Sequence, residues 1–149
     1  PAAADEPQIK PRQELEIYYE VDWSEAGLLG RGHFAEVFRG VDTRDGRQVA
    51  VKRISRQHQD VRTLRQEIAA LLKVNGHSNI VRLYDVFIDQ DLVVLVMELL
   101  EGGELFARIV NSGAYSEREA SMHFRRITEA LDFMHSHNIV HRDLKPENL

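Results

Sequence analysis

The spacing of apolar residues changes period once along this chain, and the change separates two kinds of structure. From "LEIYYEV" at residue 15 to "RQVAVKRI" ending at residue 54, apolar residues come in short runs broken at "EAGLLGRGH" and "DTRDGRQ". That punctuation predicts successive strands joined by tight turns, with Asp45-Gly46 as a hairpin signal. Between Val61 and Lys73 the period becomes helical. Val61, Leu64, Ile68, Leu71 and Leu72 share one face of a helix that Gly76 can close. "IVRLYDVFI" and "LVVLVMEL" then predict two more strands, the second nearly continuous in apolar residues and therefore buried.

After Met97 the pattern is helical. "EGGELFARIV" predicts a sharp turn at its two glycines and a short helix over Glu104–Val110. Ser116 followed by Glu119 is a capping-box pair, after which Ala120, Phe124, Ile127, Leu131 and Met134 recur at helical spacing down to His137. Residues 1–14, made of Pro, Ala and charge, read as a flexible lead-in. The fold class is α+β: an antiparallel sheet carrying one helix, followed by the start of a mainly helical part.

Composition narrows the partners. The 149 residues are 43% apolar and 29% charged, the range of a globular domain with its own core. A net charge of -5, with basic and acidic residues interspersed, gives no footprint for a nucleic acid or an anionic membrane. With no cysteine there is neither a thiol nucleophile nor a thiolate metal site, and an intracellular location, cytoplasmic or nuclear, is expected. No stretch approaches the ~20 apolar residues of a membrane helix.

Three stretches carry chemistry. In "LLGRGHFAEVFRG", Gly30 and Gly32 lie between two strand-like runs, where backbone lacking Cβ can approach a ligand and present N–H groups to phosphate oxygens. A flexible hairpin explains the same glycines. A dinucleotide fingerprint is disfavoured, because Val37, Phe38 and Val41 continue as a strand and not as a helix, and no Gly-Lys-Ser/Thr follows to make a Walker loop. "VAVKRI" sets Lys52 near a strand end with Ala50 on the same face. Glu67, mid-helix near the apolar stripe, is within reach of Lys52, although either residue alone reads as an ordinary surface charge. In "HRDLKPEN", Asp143 can accept a proton from an attacking hydroxyl, Lys145 can neutralise charge on a moving phosphoryl group, and Asn148 offers a carbonyl oxygen to Mg²⁺. Zinc is a poor rival, since His135, His137 and His141 lack a helical i,i+4 metal frame.

Taken in order, "GRGHFAEV", "VAVK", a helical Glu, "HSNIVRLYDVF", "MELLEGGELF" and "HRDLKPEN" resemble the eukaryotic protein kinase family from about Tyr19 to the last residue. "LKPEN" looks like the serine/threonine branch. "GHFAEV" and "EGGELFARI" resemble the calcium/calmodulin-dependent group with its death-associated and checkpoint-type relatives. The resemblance implies a small lobe over 15–97, a hinge over 98–103 and the beginning of a large lobe over 104–149. It also implies ATP and Mg²⁺ as cofactors. Leu29, Gly30, Gly32 and the backbone through Phe34 would lie over the ATP phosphates, with Ala35 in place of the family's third glycine. Val37 and Ala50 would pack on the adenine, Met97 would be the gatekeeper, and the backbones of Glu98 and Leu100 would pair with the adenine edge. Lys52 would hold the α- and β-phosphates, oriented by Glu67; Asp143 would be the catalytic base, Lys145 the γ-phosphate partner and Asn148 a Mg²⁺ ligand.

The same resemblance implies a protein or peptide substrate. Glu104 and Glu147 match positions that meet arginine upstream of the target hydroxyl, and Glu104 also matches one that touches the ATP ribose. At a helix start, however, an acid is favoured by the dipole alone. Calmodulin is an expected regulator through a segment outside this chain. The family's Asp-Phe-Gly and Ala-Pro-Glu segments do not occur after Asn148, so these 149 residues are expected to be inactive by themselves. The alternative function is a nucleotide-binding or scaffold module that engages a kinase partner without transferring phosphate.

Overall fold

The two most apolar runs lie side by side in the sheet. The structure is a computed structural model and describes residue 7 and residues 9–32, 35–56, 61–103, 105 and 116–149. Its strands are β1 (Ile9–Pro11), β2 (Tyr19–Val21), β3 (Leu28–Arg31), β4 (Ala35–Asp42), β5 (Gln48–Ser55), β6 (Leu83–Ile88) and β7 (Leu92–Glu98). They form one seven-stranded sheet in the order β1-β6-β7-β5-β4-β2, with β3 also paired to β4. Every pairing is antiparallel except β1 with β6, which is parallel. At the β4–β5 turn, Gly46 adopts φ +76 and donates its N–H to the Asp42 carbonyl at 2.8 Å, which closes the Asp45-Gly46 hairpin.

Alternation along β5 and β7 supplies both faces with apolar side chains, so the sheet carries a core on each side. Ile54, Val93, Leu95, Val86 and Leu83 pack with Leu64 and Ile68 of the helix α2 (Val61–Val74). Leu71 and Leu72 are half-buried against that cluster. The Val61 side chain lies outside the described set.

Val49, Val51, Val94, Val96 and Phe87 face the other way and are covered by Leu15 and Tyr19, with Tyr18, Val21 and Trp23 at the margin. Here the structure departs from the sequence expectation. Residues 9–14, assigned above to a lead-in, contain β1 and a 3-10 turn (Arg12–Glu14), and "LEIY" is a helical turn, α1 (Leu15–Tyr18), instead of a strand. Leu15 and Tyr19 are four apart and both buried, and Arg12 pairs with Glu16 across one turn at 2.7 Å. That is i,i+4 logic compressed into a single turn.

The chain divides into two units, one of residues 1–72 and 81–99 and the other of residues 73–80 and 100–149. The second is built on α3 (Glu117–Ser136). The Ser116 Oγ accepts from the Glu119 N–H, and the Glu119 carboxylate accepts from the Ser116 N–H at 3.1 Å, the expected reciprocal cap. At the other end Asn138 takes φ 59 and donates to the His135 carbonyl at 2.9 Å, a left-handed stop for which asparagine is suited. His77 stacks on Phe133 with ring centroids 4.7 Å apart, and Asn79 donates to Glu129, so the 73–80 segment is fastened to α3. No α3 residue is fully buried, and Phe124 is 69% exposed. The helix expected over Glu104–Val110 falls mostly outside the described residues. Among the described residues no helix is long and apolar enough to cross a membrane.

Candidate active site

Strand register brings most of the sequence-selected residues of the first unit to one sheet face. Val37 is opposite Lys52, Ala50 is opposite Met97, and Lys52 is opposite Leu95. Directly paired residues share a face, as do residues two apart, so Val37, Ala50, Lys52 and Met97 form one contiguous patch. Ala50 is buried, and Val37, Lys52 and Met97 are half-buried. The patch continues into the core that packs on α2, which gives Lys52 an apolar floor along its stem and a cationic tip.

Gly30 lies opposite Val37 and belongs to the edge of the same face, after a register shift that leaves Leu29 bulged and 42% exposed. The hairpin is closed by the Gly32 N–H donating to the Ala35 carbonyl at 2.7 Å. Among the described residues, a Cβ added to Gly30 would meet nothing within 4 Å, and one on Gly32 would meet only the Ala35 oxygen at 3.6 Å. Packing within the protein therefore does not require either glycine. Open space over a polar backbone is what a closely approaching phosphate group needs. Phe34 lies outside the described residues.

The ion pair expected between Lys52 and Glu67 is not formed here: ion pairs among the described residues do not include it. The buried stripe of α2 runs through Leu64 and Ile68, and Glu67 is exposed. A residue one position before Ile68 is turned about 100° from it around the helix. At the end of β7, the Glu98 N–H donates to the Arg82 carbonyl at 2.8 Å and its carboxylate accepts from the Arg82 N–H at 3.2 Å. Leu100 follows outside the sheet, 65% exposed, and Gly103 has φ +71. Glu104 lies outside the described residues.

In the second unit the loop after α3 gathers the other group of residues. Lys145 Nζ stands 3.1 Å from Asp143 Oδ2, and the Asn148 side-chain nitrogen donates to that same oxygen at 3.0 Å and to the Asp143 carbonyl at 2.8 Å. Arg142 takes φ 65, a strained left-handed conformation for a residue with a Cβ. The Asp143 N–H donates to His141 Nδ1 at 3.3 Å. A 3-10 turn, Pro146–Asn148, brings Asn148 back over Asp143. Hydrogen bonding from Lys145 first, and from Asn148 second, holds the Asp143 carboxyl below the usual aspartate range. The side chain is exposed.

The donor set fits phosphate and Mg²⁺ chemistry in part. Both hydrogen bonds of Asn148 use its nitrogen, so its carbonyl oxygen is the atom available to a hard cation. Among the described residues no group of three or more His, Asp or Glu side chains could hold a metal alone. A Mg²⁺ ion here would need phosphate oxygens and a further carboxylate.

Comparison with known proteins identifies the family. Residues 23–149 match the protein kinase domain family. The chain belongs to that family. It is 43% identical over 143 residues to a probable myosin light chain kinase of Dictyostelium discoideum, covering 94% of this chain and 35% of that protein. It is 46% identical over 125 residues to calcium/calmodulin-dependent protein kinase type 1 of Caenorhabditis elegans, covering 82% and 36%. To calcium-dependent protein kinase 5 of Plasmodium falciparum it is 42% identical over 137 residues, covering 91% and 23%. The chain thus spans about a third or less of the length of these relatives, and it corresponds to the N-terminal portion of a kinase domain of the calcium- and calmodulin-dependent type.

The family match begins at Trp23, so it leaves out β1, α1 and β2; sequence reasoning missed β1 and read the α1 turn as strand, while β2 falls inside the strand expected from "LEIYYEV". One available signal was Asp85, an acid inside the otherwise apolar "LYDVFI". A charge in a buried strand requires a partner, and Lys10 and Tyr19 supply it from the N-terminal segment.

Proposed function

We propose that the protein containing this chain is an ATP-dependent serine/threonine kinase that transfers the γ-phosphoryl group to a peptide hydroxyl, with a preference for upstream arginine. The observation that carries this function is the convergence of Lys145 and Asn148 on the Asp143 carboxylate. Phosphoryl transfer asks little covalent chemistry of a protein. It requires a base within reach of the hydroxyl, charge to meet the phosphoryl oxygens and fixed geometry. Asp143, ionised at neutral pH and exposed, accepts the hydroxyl proton at its carboxylate. Lys145 faces the γ-phosphate, and Lys52 faces the α- and β-phosphates.

Val37 and Ala50 form the adenine wall, Met97 limits the pocket's depth, and the backbones of Glu98 and Leu100 address the adenine edge. The Gly30 and Gly32 hairpin covers the phosphates. Asn148 would hold Mg²⁺ in part, and the ion would supply neutralisation of phosphate charge. Glu67 orients Lys52 only in a disposition of α2 different from the one described here. Glu104 and Glu147 are the acids assigned to substrate arginine; the Glu147 side chain, like Glu104, lies outside the described set. Regulation by a calmodulin-type partner is consistent with similarity to proteins named calcium/calmodulin-dependent kinases.

The test is transfer of labelled phosphate from ATP to a peptide array by the full-length protein. Transfer to serine and threonine peptides, fastest with upstream arginine and lost in Asp143→Ala, is expected. ATP binding without transfer would replace the enzyme by a nucleotide-binding scaffold, and equal rates with alanine or arginine upstream would remove the basic preference.

A further inference from the structure

The residue between the two glycines is an arginine, and its guanidinium is held from the far side of the sheet. Arg31 is opposite Glu36 across the β3–β4 pair, and Glu36 is opposite Arg53 across the β4–β5 pair. The three charges therefore stand in one row over three strands. Arg31 Nε is 3.4 Å from Glu36 Oε1, and Arg53 donates to Glu36 Oε2 at 2.5 Å. Arg31 also pairs with Glu25. Arg53 is anchored in turn, with its guanidinium 5.4 Å from the Trp23 ring centre and 5.2 Å from that of Phe38. Those rings meet edge to face at 5.1 Å.

This row lies on the face opposite Val37, Ala50 and Lys52, because Glu36 and Arg53 alternate with Val37 and Lys52 along their strands. We propose that Arg31, Glu36 and Arg53 form a cross-strand ion ladder that positions the glycine hairpin for the nucleotide. They are positioning residues and touch no substrate. This role presupposes the kinase function proposed above.

The physical case is one of ordering. Gly30 and Gly32 have no side chains and, among the described residues, little around them, so neither position holds the hairpin by apolar packing. Single exposed ion pairs contribute little, but a networked row with one member packed on aromatic rings loses less side-chain entropy per contact. Glu36 is held below the usual glutamate range, chiefly by its hydrogen bond from Arg53, so it is charged at any physiological pH. A hairpin ordered in advance spares the nucleotide that cost on binding. Removing the ladder should therefore act on nucleotide affinity and leave the chemical step alone.

The experiment compares the full-length protein with its Glu36→Gln, Arg31→Ala and Arg31→Lys forms. KM for ATP should rise about three- to tenfold in Glu36→Gln, which loses two cross-strand pairs, and in Arg31→Ala, which loses one of them and the contact with Glu25. Turnover should stay within about twofold, the peptide KM should not move, and Arg31→Lys should recover most of the affinity. The wild-type KM for ATP should depend more steeply on NaCl than that of Glu36→Gln. Amide exchange without nucleotide should speed up at residues 28–32 and 35–37 but not in β5 or β7. Unchanged KM for ATP in both disabling variants would overturn the ladder. So would a fall in melting temperature with protection lost through the whole sheet, which marks a purely structural part. A wild-type protein that neither binds nor uses ATP would overturn the kinase assignment instead.

Discussion

Tyr19 donates its phenolic proton to Asp85 Oδ2 at 2.6 Å, while Lys10 Nζ meets the other oxygen at 2.8 Å. The Asp85 side chain is 6% exposed, so two elements from the start of the chain satisfy a buried charge in β6. Arg44 joins from the β4–β5 hairpin, donating to the Tyr19 oxygen at 2.8 Å and chelating Asp42. A buried carboxylate stripped of partners is costly, whereas removing the acid leaves a lysine that can reach water.

Lys10→Met should destabilise the protein by about 3 kcal/mol, the scale for breaking a buried ion pair from one side. Tyr19→Phe should cost about 1–3 kcal/mol. Both are read by urea denaturation, and equal midpoints for wild type and variants would show the clamp to be idle. Burial, followed by the Asp85 hydrogen bond and charge, raises Tyr19 well above its ordinary value of 10.0. A raised folded pKa means that the stabilisation is complete below the unfolded value and is lost as pH rises above it. Stability should therefore fall above about pH 10 in wild type and less steeply in Tyr19→Phe.

Asp143 should titrate in the opposite sense. Its pKa is depressed, so the carboxylate persists as pH falls below the usual aspartate range and its pairing is lost only on protonation at the lower folded value. Carbon-13 NMR of the side-chain carboxyl should give a midpoint below 3.8 in wild type and a higher one in Lys145→Ala. A midpoint near neutrality would contradict the observed hydrogen bonding. If the proposed kinase function holds, Asp143→Ala in the full-length protein should lower turnover by about two to four orders of magnitude, the range for a positioned proton acceptor.

Glycine substitutions separate fold from function. A Cβ on Gly27 would stand 2.1 Å from the Asp22 carbonyl oxygen, a backbone atom that cannot swing away. Gly27→Ala should cost about 1–3 kcal/mol or more in stability, as overpacking does. Gly30→Ala places its methyl in open space and should leave the urea midpoint within about 0.5 kcal/mol of wild type while weakening ATP binding in the full-length protein. Equal effects of the two on stability would mean that the open space at Gly30 is filled.

What could be read from the sequence was whatever repeats locally. The 3.6-residue stripe of α2, the Ser116–Glu119 cap and the Asp45-Gly46 turn each depend on neighbours within a few residues, and each is present. The close sequence spacing of Asp143, Lys145 and Asn148 likewise survives as a spatial cluster. What failed depended on distant partners. Ile9–Pro11 becomes a strand because β6 offers it an edge some 75 residues away, as the Lys10–Asp85 separation measures. The Lys52–Glu67 pairing failed for a related reason. Helical spacing puts Glu67 near the stripe, but the rotation of α2 is set by how Leu64 and Ile68 seat on the sheet.

The apolar stripe of α3 leads to the last prediction. Phe124 is 69% exposed, Met122 48% and, in the following segment, Val140 64%, although the spacing of Ala120, Phe124, Ile127, Leu131 and Met134 is that of a face made for burial. Each Å² of apolar surface left wet forfeits about 25 cal/mol, and large apolar side chains exposed in this way favour association. The 149-residue polypeptide should therefore self-associate at micromolar concentration, while Phe124→Ser should remain smaller at the same concentration by light scattering. It should also fail to transfer phosphate to a basic peptide with ATP and Mg²⁺, because on the proposed reading Asn148 would offer one metal-binding oxygen and two-metal phosphoryl transfer needs more. Turnover sensitive to Asp143→Ala in a monomeric sample would show that these residues assemble a sufficient site by themselves.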